Sequence, residues 1–363
     1  MSGTSLDGVD AVAVRFDAAG PMAVLGHVHE PLPPHLCDEL LALNTPGPDE
    51  LHRAALAASA LSRVYAQATA RLLSAAALVP EQVRALGAHG QTVRHRPGEF
   101  DGTGYTLQLL NGALLAELTD IDVVCDLRSR DVAAGGQGAP LVPAFHAARF
   151  ARRGQTVVVL NVGGMANLSV LRGDASVVGF DCGPGNVLLD HWCMRQCGQP
   201  FDADGAWAAS GHVQQPLLGA LLDEPYFRRP PPKSTGRDLF NGVWLDARLS
   251  CCAPARPQDV QATLAELTAR AAAEAVHAHA PQARHLLVCG GGALNRDLMN
   301  RLSTHLPGVA LTTTDQVGLP AMQVEACAFA WLAYCHVERR ACNLAEVTGA
   351  RGPRRLGALH PAR

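Results

Sequence analysis

Strand-like and helix-like runs alternate along most of this chain, which predicts an α/β fold divided into two domains. Three observations carry that reading. The chain has 363 residues, 48% of them hydrophobic, more than one ordinary core accommodates. Short apolar runs of strand length alternate with longer runs of helical period, the pattern of a sheet with crossover helices. Each half also opens on the same order of strand, turn and strand, with glycines in the turns, which reads as duplication of an architecture. Two related halves facing each other would leave a cleft, where small ligands usually bind.

The elements follow in order. Residues 9–16 read as a strand, Ala18-Ala19-Gly20-Pro21 as a turn and 22–32 as a second extended run. Leu51, Ala54, Ala58, Leu61, Tyr65, Ala68 and Leu72 then recur at steps of three and four, one face of a helix stopped by Pro80. Residues 84–89, 106–110 and 122–126 read as strands, with Asn111 as a helix cap. The second half repeats the plan with strands over 156–162, 167–171 and 176–181 and a helix starting near Asn186. Val260, Leu264, Leu267, Ala271 and Ala275 mark another helix, ended by Pro281, and 284–289 is a strand running into Gly290-Gly291-Gly292. The expected division is a first domain over 1–131, joined by a C-terminal helix over about 335–363, and a second domain over 132–334.

Composition narrows the function. Charged residues make up 17%, the formal net charge is -3 and aromatic residues are 5%, with no basic block, so nucleic acid is not an expected partner. The opening Met1-Ser2-Gly3-Thr4-Ser5 is neither basic nor followed by an apolar run, and the Ala/Leu-rich stretch 51–78 is broken by Arg53, Arg63 and Arg71. No secretory signal, no membrane span and a cytoplasmic location are therefore expected. The eleven cysteines show neither a disulfide framework nor zinc spacing, and are read as reduced thiols.

Four glycine-rich segments border strands. In residues 2–8, Gly3 and Gly8 would let backbone amides approach a phosphate, Thr4 and Ser5 add hydroxyls, and Asp7 could reach Mg²⁺ directly or through water. The same residues also suit a plain β-turn. Residues 161–167 carry Gly163 and Gly164. In residues 179–186, Asp181 stands at a strand end, placed either as a general base or metal contact or to cap the amides of Gly183 or Gly185. Residues 289–295 form a strand-to-helix turn in which Asn295 could cap the helix that follows. Pro232-Lys233-Ser234-Thr235-Gly236 has no glycine before its lysine and is no Walker A loop.

Three polar clusters also follow strands: His89-Gly90-Gln91-Thr92 with His95; Asp126, Arg128, Arg130 and Asp131; and residues 135–140. Taken alone, the Arg/Asp cluster reads equally as a solvated salt-bridge network. His89 and His95 lack further metal ligands at suitable spacing.

Taken together these segments resemble the anhydro-N-acetylmuramic acid kinases. Met1-Ser2-Gly3-Thr4-Ser5-Leu6-Asp7-Gly8-Val9-Asp10 is similar to that family's opening motif. Residues 89–97, 126–143, 161–168, 179–186, 233–241, 289–295 and 325–333 resemble further family segments in the family's order, so the resemblance covers nearly the whole chain. It implies a two-domain actin-like ATPase fold, of the hexokinase, Hsp70, actin and ribonuclease H-like kind, with ATP in the interdomain cleft. The implied reaction adds water to the anomeric carbon of 1,6-anhydro-N-acetylmuramic acid, opens the anhydro ring and phosphorylates O6. The product is N-acetylmuramic acid 6-phosphate, a step in peptidoglycan recycling, and the implied assembly is a homodimer.

Carried over residue by residue, the resemblance makes Asp181 the base that activates the water. It assigns Gly3, Thr4, Ser5, Leu6, Asp7, Gly8, Val9 and Asp10 to the ATP phosphates, with Asp7 near Mg²⁺. Gly163, Gly164, Gly290, Gly291, Gly292 and Asn295 would line the nucleotide. His89, Gln91, Thr92 and Arg130 are the sugar-side candidates, a cation such as Arg130 or Arg128 suiting the lactyl carboxylate. Glu325 matches an acidic family position without an assigned role. Two departures stand out. The family has apolar residues ahead of the opening motif that form a first strand, largely missing here, and Cys182 stands where a threonine is expected. Competing readings are a kinase of another sugar or polyol, a tRNA-modifying relative, which would need an H-x-x-x-H metal pair, and a non-catalytic ATP-binding regulator.

Overall fold

A computed structural model of the protein describes residues 1–3, 6–17 and 22–363. Thr4, Ser5 and the turn expected at 18–21 lie outside the described residues. The chain divides into two compact units, Met1–Phe145 with Gln323–Arg363, and His146–Met322. The first boundary thus falls inside the helix Val142–Phe150 and the second just ahead of the helix Val324–Val337.

The second unit is built on one five-stranded sheet. Its sequence opens with Val157-Val158-Val159-Leu160, apolar on both faces as a central strand must be. With the first unit's strands taken as β1 (Gly8–Arg15), β2 (Ala23–Pro31), β3 (Leu86–Gly87), β4 (Gln91–Pro97), β5 (Gly104–Leu109) and β6 (Val123–Cys125), the second unit contributes β7 (Val157–Val162), β8 (Met165–Leu171), β9 (Val177–Pro184), β10 (His285–Cys289) and β11 (Ala310–Thr313). The order is β11-β10-β7-β8-β9. Antiparallel β8 and β9 extend one side of β7, and parallel β10 and β11 extend the other. This is the strand order expected of the actin-like domain that the resemblance implies. The helix Pro257–His279, buried along most of its length, packs on the sheet together with Val187, Leu188, Leu217, Tyr226, Phe240 and Leu245.

The first unit uses the same ingredients in separate pieces. β1 and β2 form an antiparallel hairpin, and β3 runs parallel to β6, which pairs in turn with β12 (Ala358–His360). Among the described residues no strand joins the hairpin to β3, and β4 pairs only with β5. The helix Glu50–Ala75 buries Leu61, Tyr65 and Ala68 of the expected face against a core that includes Val9, Val93 and Leu115; Leu72 is buried as well, while Leu51 is left exposed. That helix ends at Ala75, before Pro80, which instead opens a short 3-10 turn.

One expectation is corrected. Residues 335–363 are not a helix. The helix Val324–Val337 ends near their start, and a four-residue helix, Ala345–Thr348, and strand β12 follow. Gly349, Gly352 and Gly357 adopt positive φ, and Pro353 lacks an amide donor, so this stretch cannot propagate helical hydrogen bonds.

Candidate active site

In the second unit, three glycine turns meet at the C-terminal ends of β7, β9 and β10, where open α/β sheets take their ligands. Gly163 O accepts from Asn186 N at 2.9 Å, and Gly164 O accepts from Gly185 N at 2.9 Å and Val187 N at 3.1 Å. These bonds tie the first turn to the start of the helix Val187–Cys197. Gly290 has φ 78°, and a Cβ there would lie 2.5 Å from Asn161 Oδ1 and 2.7 Å from Val162 O. Only glycine lets the third turn approach the first this closely. Asn295 caps the helix Arg296–His305, its Oδ1 accepting from Leu298 N at 2.9 Å.

Asp181 sits beside these turns, 7% exposed. A β-bulge aims it. Ala166 pairs with Gly183 and Asn167 with Asp181, so Cys182 is the extra residue on β9. Burial, and the carboxylate beside it, push the Cys182 thiol up to about 12, so it stays protonated. The segment after Tyr226 grips Asp181 at three points. Thr235 N donates to Oδ2 at 2.9 Å, Asp181 N donates to Lys233 O at 3.3 Å, and Tyr226 Oη donates to Asp181 O at 2.7 Å. Lys233 packs over the Tyr226 and Phe180 rings with its amine donating to Tyr226 O and Phe227 O, and burial lowers its pKa against the pull of Cys182 and Asp181.

In the first unit, Ser2 is buried, its amide donating to Tyr65 Oη at 2.9 Å and its hydroxyl to Gly90 O at 2.8 Å. That anchors the N-terminal end, and Leu6 N donates to Gly3 O at 3.3 Å. Asp7 is exposed. Gly8 pairs with Pro31, and a Cβ on it would come within 2.4 Å of the His29 ring. Val9 belongs to the core. Asp10 accepts from His27 Nε2 and His29 Nδ1 at 3.1 Å each. Although burial works against it, those bonds and the nearby N-terminus hold its carboxyl below the usual range.

The sugar-side candidates occupy different environments. His89 is 6% exposed. Its Nδ1 reaches Ser2 O and Gly90 O, and its Nε2 accepts from Arg128 at 3.0 and 3.1 Å, so both ring nitrogens are engaged inside the protein. Gln91 is buried with no partner for Oε1, Thr92 Oγ1 accepts from Gln108, and Arg130 is exposed on the helix Ser129–Ala133. Asp131 is 0% exposed and accepts from Gly138 N, Asn343 Nδ2 and Thr348 Oγ1, each at 2.8 Å. Asp131 is therefore a buried hydrogen-bonded brace under the 135–140 loop, whereas Asp126 and Arg130 of the same cluster are exposed. Sequence reasoning gives no role to Asn167 or to Thr235, both of which adjoin Asp181. The pairing of Asn167 with Asp181 depends on the bulge, which no local signal marks.

Burial and the Arg128 charge push the His89 pKa well below the histidine range, and the same causes take His95 to about 4. Burial alone takes His146 to about 3. All three are neutral in the fold, whereas the unfolded chain binds their protons below about pH 6.5. Their stabilising contribution is complete above that pH. It falls as pH drops towards the folded-state values, by about 1.4 kcal/mol per unit for each histidine. Urea midpoints at pH 7 and pH 5 check this. A clearly lower midpoint at pH 5 is expected, and equal midpoints would contradict it.

Comparison with known sequences decides the family. The sequence model described as "Anhydro-N-acetylmuramic acid kinase" matches residues 1–362. The chain belongs to the anhydro-N-acetylmuramic acid kinase family. Curated relatives of that name include one from Variovorax paradoxus, 59% identical over 100% of this chain and 98% of the relative. Another, from Cupriavidus pinatubonensis, is 58% identical over 99% and 97%, and one from Chromobacterium violaceum is 53% identical over 99% and 98%. Among solved structures, a ROK hexokinase from Thermus thermophilus aligns over 91% of this chain and 100% of its own, with a TM-score of 0.37 at 16% identity.

Proposed function

We propose that this chain is an ATP-dependent phosphotransferase that opens the 1,6-anhydro ring of 1,6-anhydro-N-acetylmuramic acid with water and phosphorylates O6. The products are N-acetylmuramic acid 6-phosphate and ADP, a step in cell-wall recycling. The observation that carries the reading is family identity along the full length, at 53–59% to relatives named for this activity.

Water attacks the anomeric carbon as Asp181 takes its proton, and the bond from that carbon to O6 breaks. The freed O6 then displaces ADP from the γ-phosphoryl group. The buried position of Asp181 and its three-point anchoring support this role, because a general base must be held in reach of the proton it removes. Phosphoryl transfer needs mainly positioning and charge neutralisation. The turns at Gly163-Gly164 and Gly290-Gly291-Gly292, and the opening turn of residues 3–10, are assigned to the nucleotide. Asp7, exposed beside the opening turn, offers the hard carboxylate oxygen that Mg²⁺ prefers. Bound there, the ion would neutralise phosphate charge. Arg130 is assigned to the lactyl carboxylate and Gln91 and Thr92 to the sugar. His89 is better suited to holding Arg128 and the opening turn in place.

The reading places the enzyme in the cytoplasm, where ATP is available. The eleven cysteines, none of them in a disulfide among the described residues, fit that, and no helix of the described residues is long and apolar enough to cross a membrane. A homodimer is expected, and sedimentation velocity checks it. The activity is tested by offering ATP and Mg²⁺ with the anhydro-muramic sugar, N-acetylglucosamine or glycerol. ADP and a sugar phosphate are expected from the first acceptor alone. Equal turnover of either alternative acceptor would overturn the assignment of substrate.

A further inference from the structure

A row of polar side chains crosses the buried sheet of the second unit. Asn161 on β7 lies opposite Asn167 on β8, which lies opposite Asp181 on β9. Directly opposed residues share a face, with Cβ atoms about 5 Å apart. All three are nearly buried, Asn167 at 9% exposed. Along the same strands this face continues as Val159, Ser169 and Gly179, then Val157, Leu171 and Val177. Ser169 on this face is satisfied by His146 Nδ1 at 2.8 Å, so the row of amides and carboxylate lies at the end of the sheet that bears the glycine turns.

Asn161 accounts for itself. Its Oδ1 lies 3.7 Å from Cys289 Sγ and abuts Gly290, so it packs the turn after β10. Asn167 does not: its Oδ1 is fully buried and accepts no hydrogen bond. Thr235 shows the same anomaly. Its amide grips Asp181 Oδ2, yet its Oγ1 is buried without a partner. Leaving a buried polar atom unmade costs about 1–3 kcal/mol, so two such atoms flanking one carboxylate point to a ligand that completes them.

We propose that Asn167 and Thr235 position the water that Asp181 activates. Water has two protons to donate and two lone pairs. One proton goes to Asp181 and is the one removed, and the other is held by Asn167 Oδ1. Thr235 Oγ1 donates to one lone pair, which leaves the second to attack the sugar carbon. Three partners in this arrangement fix the direction of the remaining lone pair as well as the place of the water, a larger kinetic advantage than a base alone supplies. The proposal rests on the reading of Asp181 as the base.

The test uses Asn167→Leu, near-isosteric but apolar, and the pair Thr235→Val and Thr235→Ser, each alone and in the Asp181→Asn background. Thermal melting and ATP affinity report on folding. In the wild-type background Asn167→Leu and Thr235→Val are expected to lower kcat by about ten- to a hundredfold with ATP affinity kept, and Thr235→Ser to restore most of it. In the Asp181→Asn background the same changes should cost little further, because groups that act through one water are not additive. Full-sized losses that persist without Asp181, an effect confined to KM, or unchanged kcat would each overturn the proposal. Wild-type turnover of the sugar, measured alongside, separates failure of the proposal from failure of the assigned reaction. If Thr235→Val melts early, Asn167→Leu and its double variant still decide the question.

Discussion

The Asp181→Asn variant is expected to bind ATP as the wild type does and to turn over about a hundred- to ten-thousandfold more slowly, the usual scale for loss of a general base. The geometry argues for so clean a separation. The amide of Asn keeps the shape of the carboxylate, and the oxygen that accepts from Thr235 N can be retained. The bonds from Tyr226 Oη and to Lys233 O involve only backbone atoms of residue 181, so the strand end stays where it is. What disappears is the ability to take a proton from water. Steady-state kinetics with calorimetric ATP binding checks this, and near-normal turnover would remove Asp181 from its role.

Asp131→Ala is expected to act on stability instead. The native carboxylate has no exposure and accepts from the Gly138 amide, the Asn343 amide group and the Thr348 hydroxyl. It joins the 135–140 loop to the C-terminal segment of the same unit. Alanine takes the acceptor from three buried donors, of which Asn343 Nδ2 and Thr348 Oγ1 keep only the longer contacts to Gly352 O and Leu344 O at 3.4 Å, and at roughly 1–3 kcal/mol each with partial relaxation the loss should be about 3 kcal/mol. Gly136, where a Cβ would lie 2.2 Å from Asp131 Oδ2, shows how closely the loop is drawn onto this side chain. Chemical denaturation measures the change, and a shift below about 0.5 kcal/mol, the range of an ordinary surface substitution, would contradict the brace.

The contrast between these two aspartates shows where sequence is legible. Asp181 is readable because a strand of apolar residues ends in a carboxylate followed by glycines, a pattern set by local chemistry. Asp131 sits in an equally polar stretch, but its partners at 343 and 348 lie more than two hundred residues away, and no periodicity announces them. The strands of the second unit are visible for the same local reason: Val157-Val158-Val159-Leu160 and the turns at Gly163 and Gly173 punctuate themselves. The hairpin of Gln91–Pro97 with Gly104–Leu109 is only half legible, since Arg94, His95 and Arg96 interrupt any alternation, and the C-terminal strand Ala358–His360 is too short to carry a pattern. His89 reads from sequence as a ligand contact because histidine after a strand often is one. Tertiary structure gives it Arg128 on one nitrogen and the Ser2 and Gly90 carbonyls on the other. Asn167 is hidden by the bulge at Cys182, which shifts register by one and brings it opposite Asp181.

The central claim is that one site adds water to a sugar carbon and a phosphoryl group to the oxygen thereby released. The direct measurement is to run the reaction in water enriched in heavy oxygen and to locate the label in the sugar product by fragmentation mass spectrometry. The account predicts one heavy oxygen on the anomeric carbon and none in the phosphoryl group. A phosphorylated sugar without the label, or label found only in released inorganic phosphate, would contradict it.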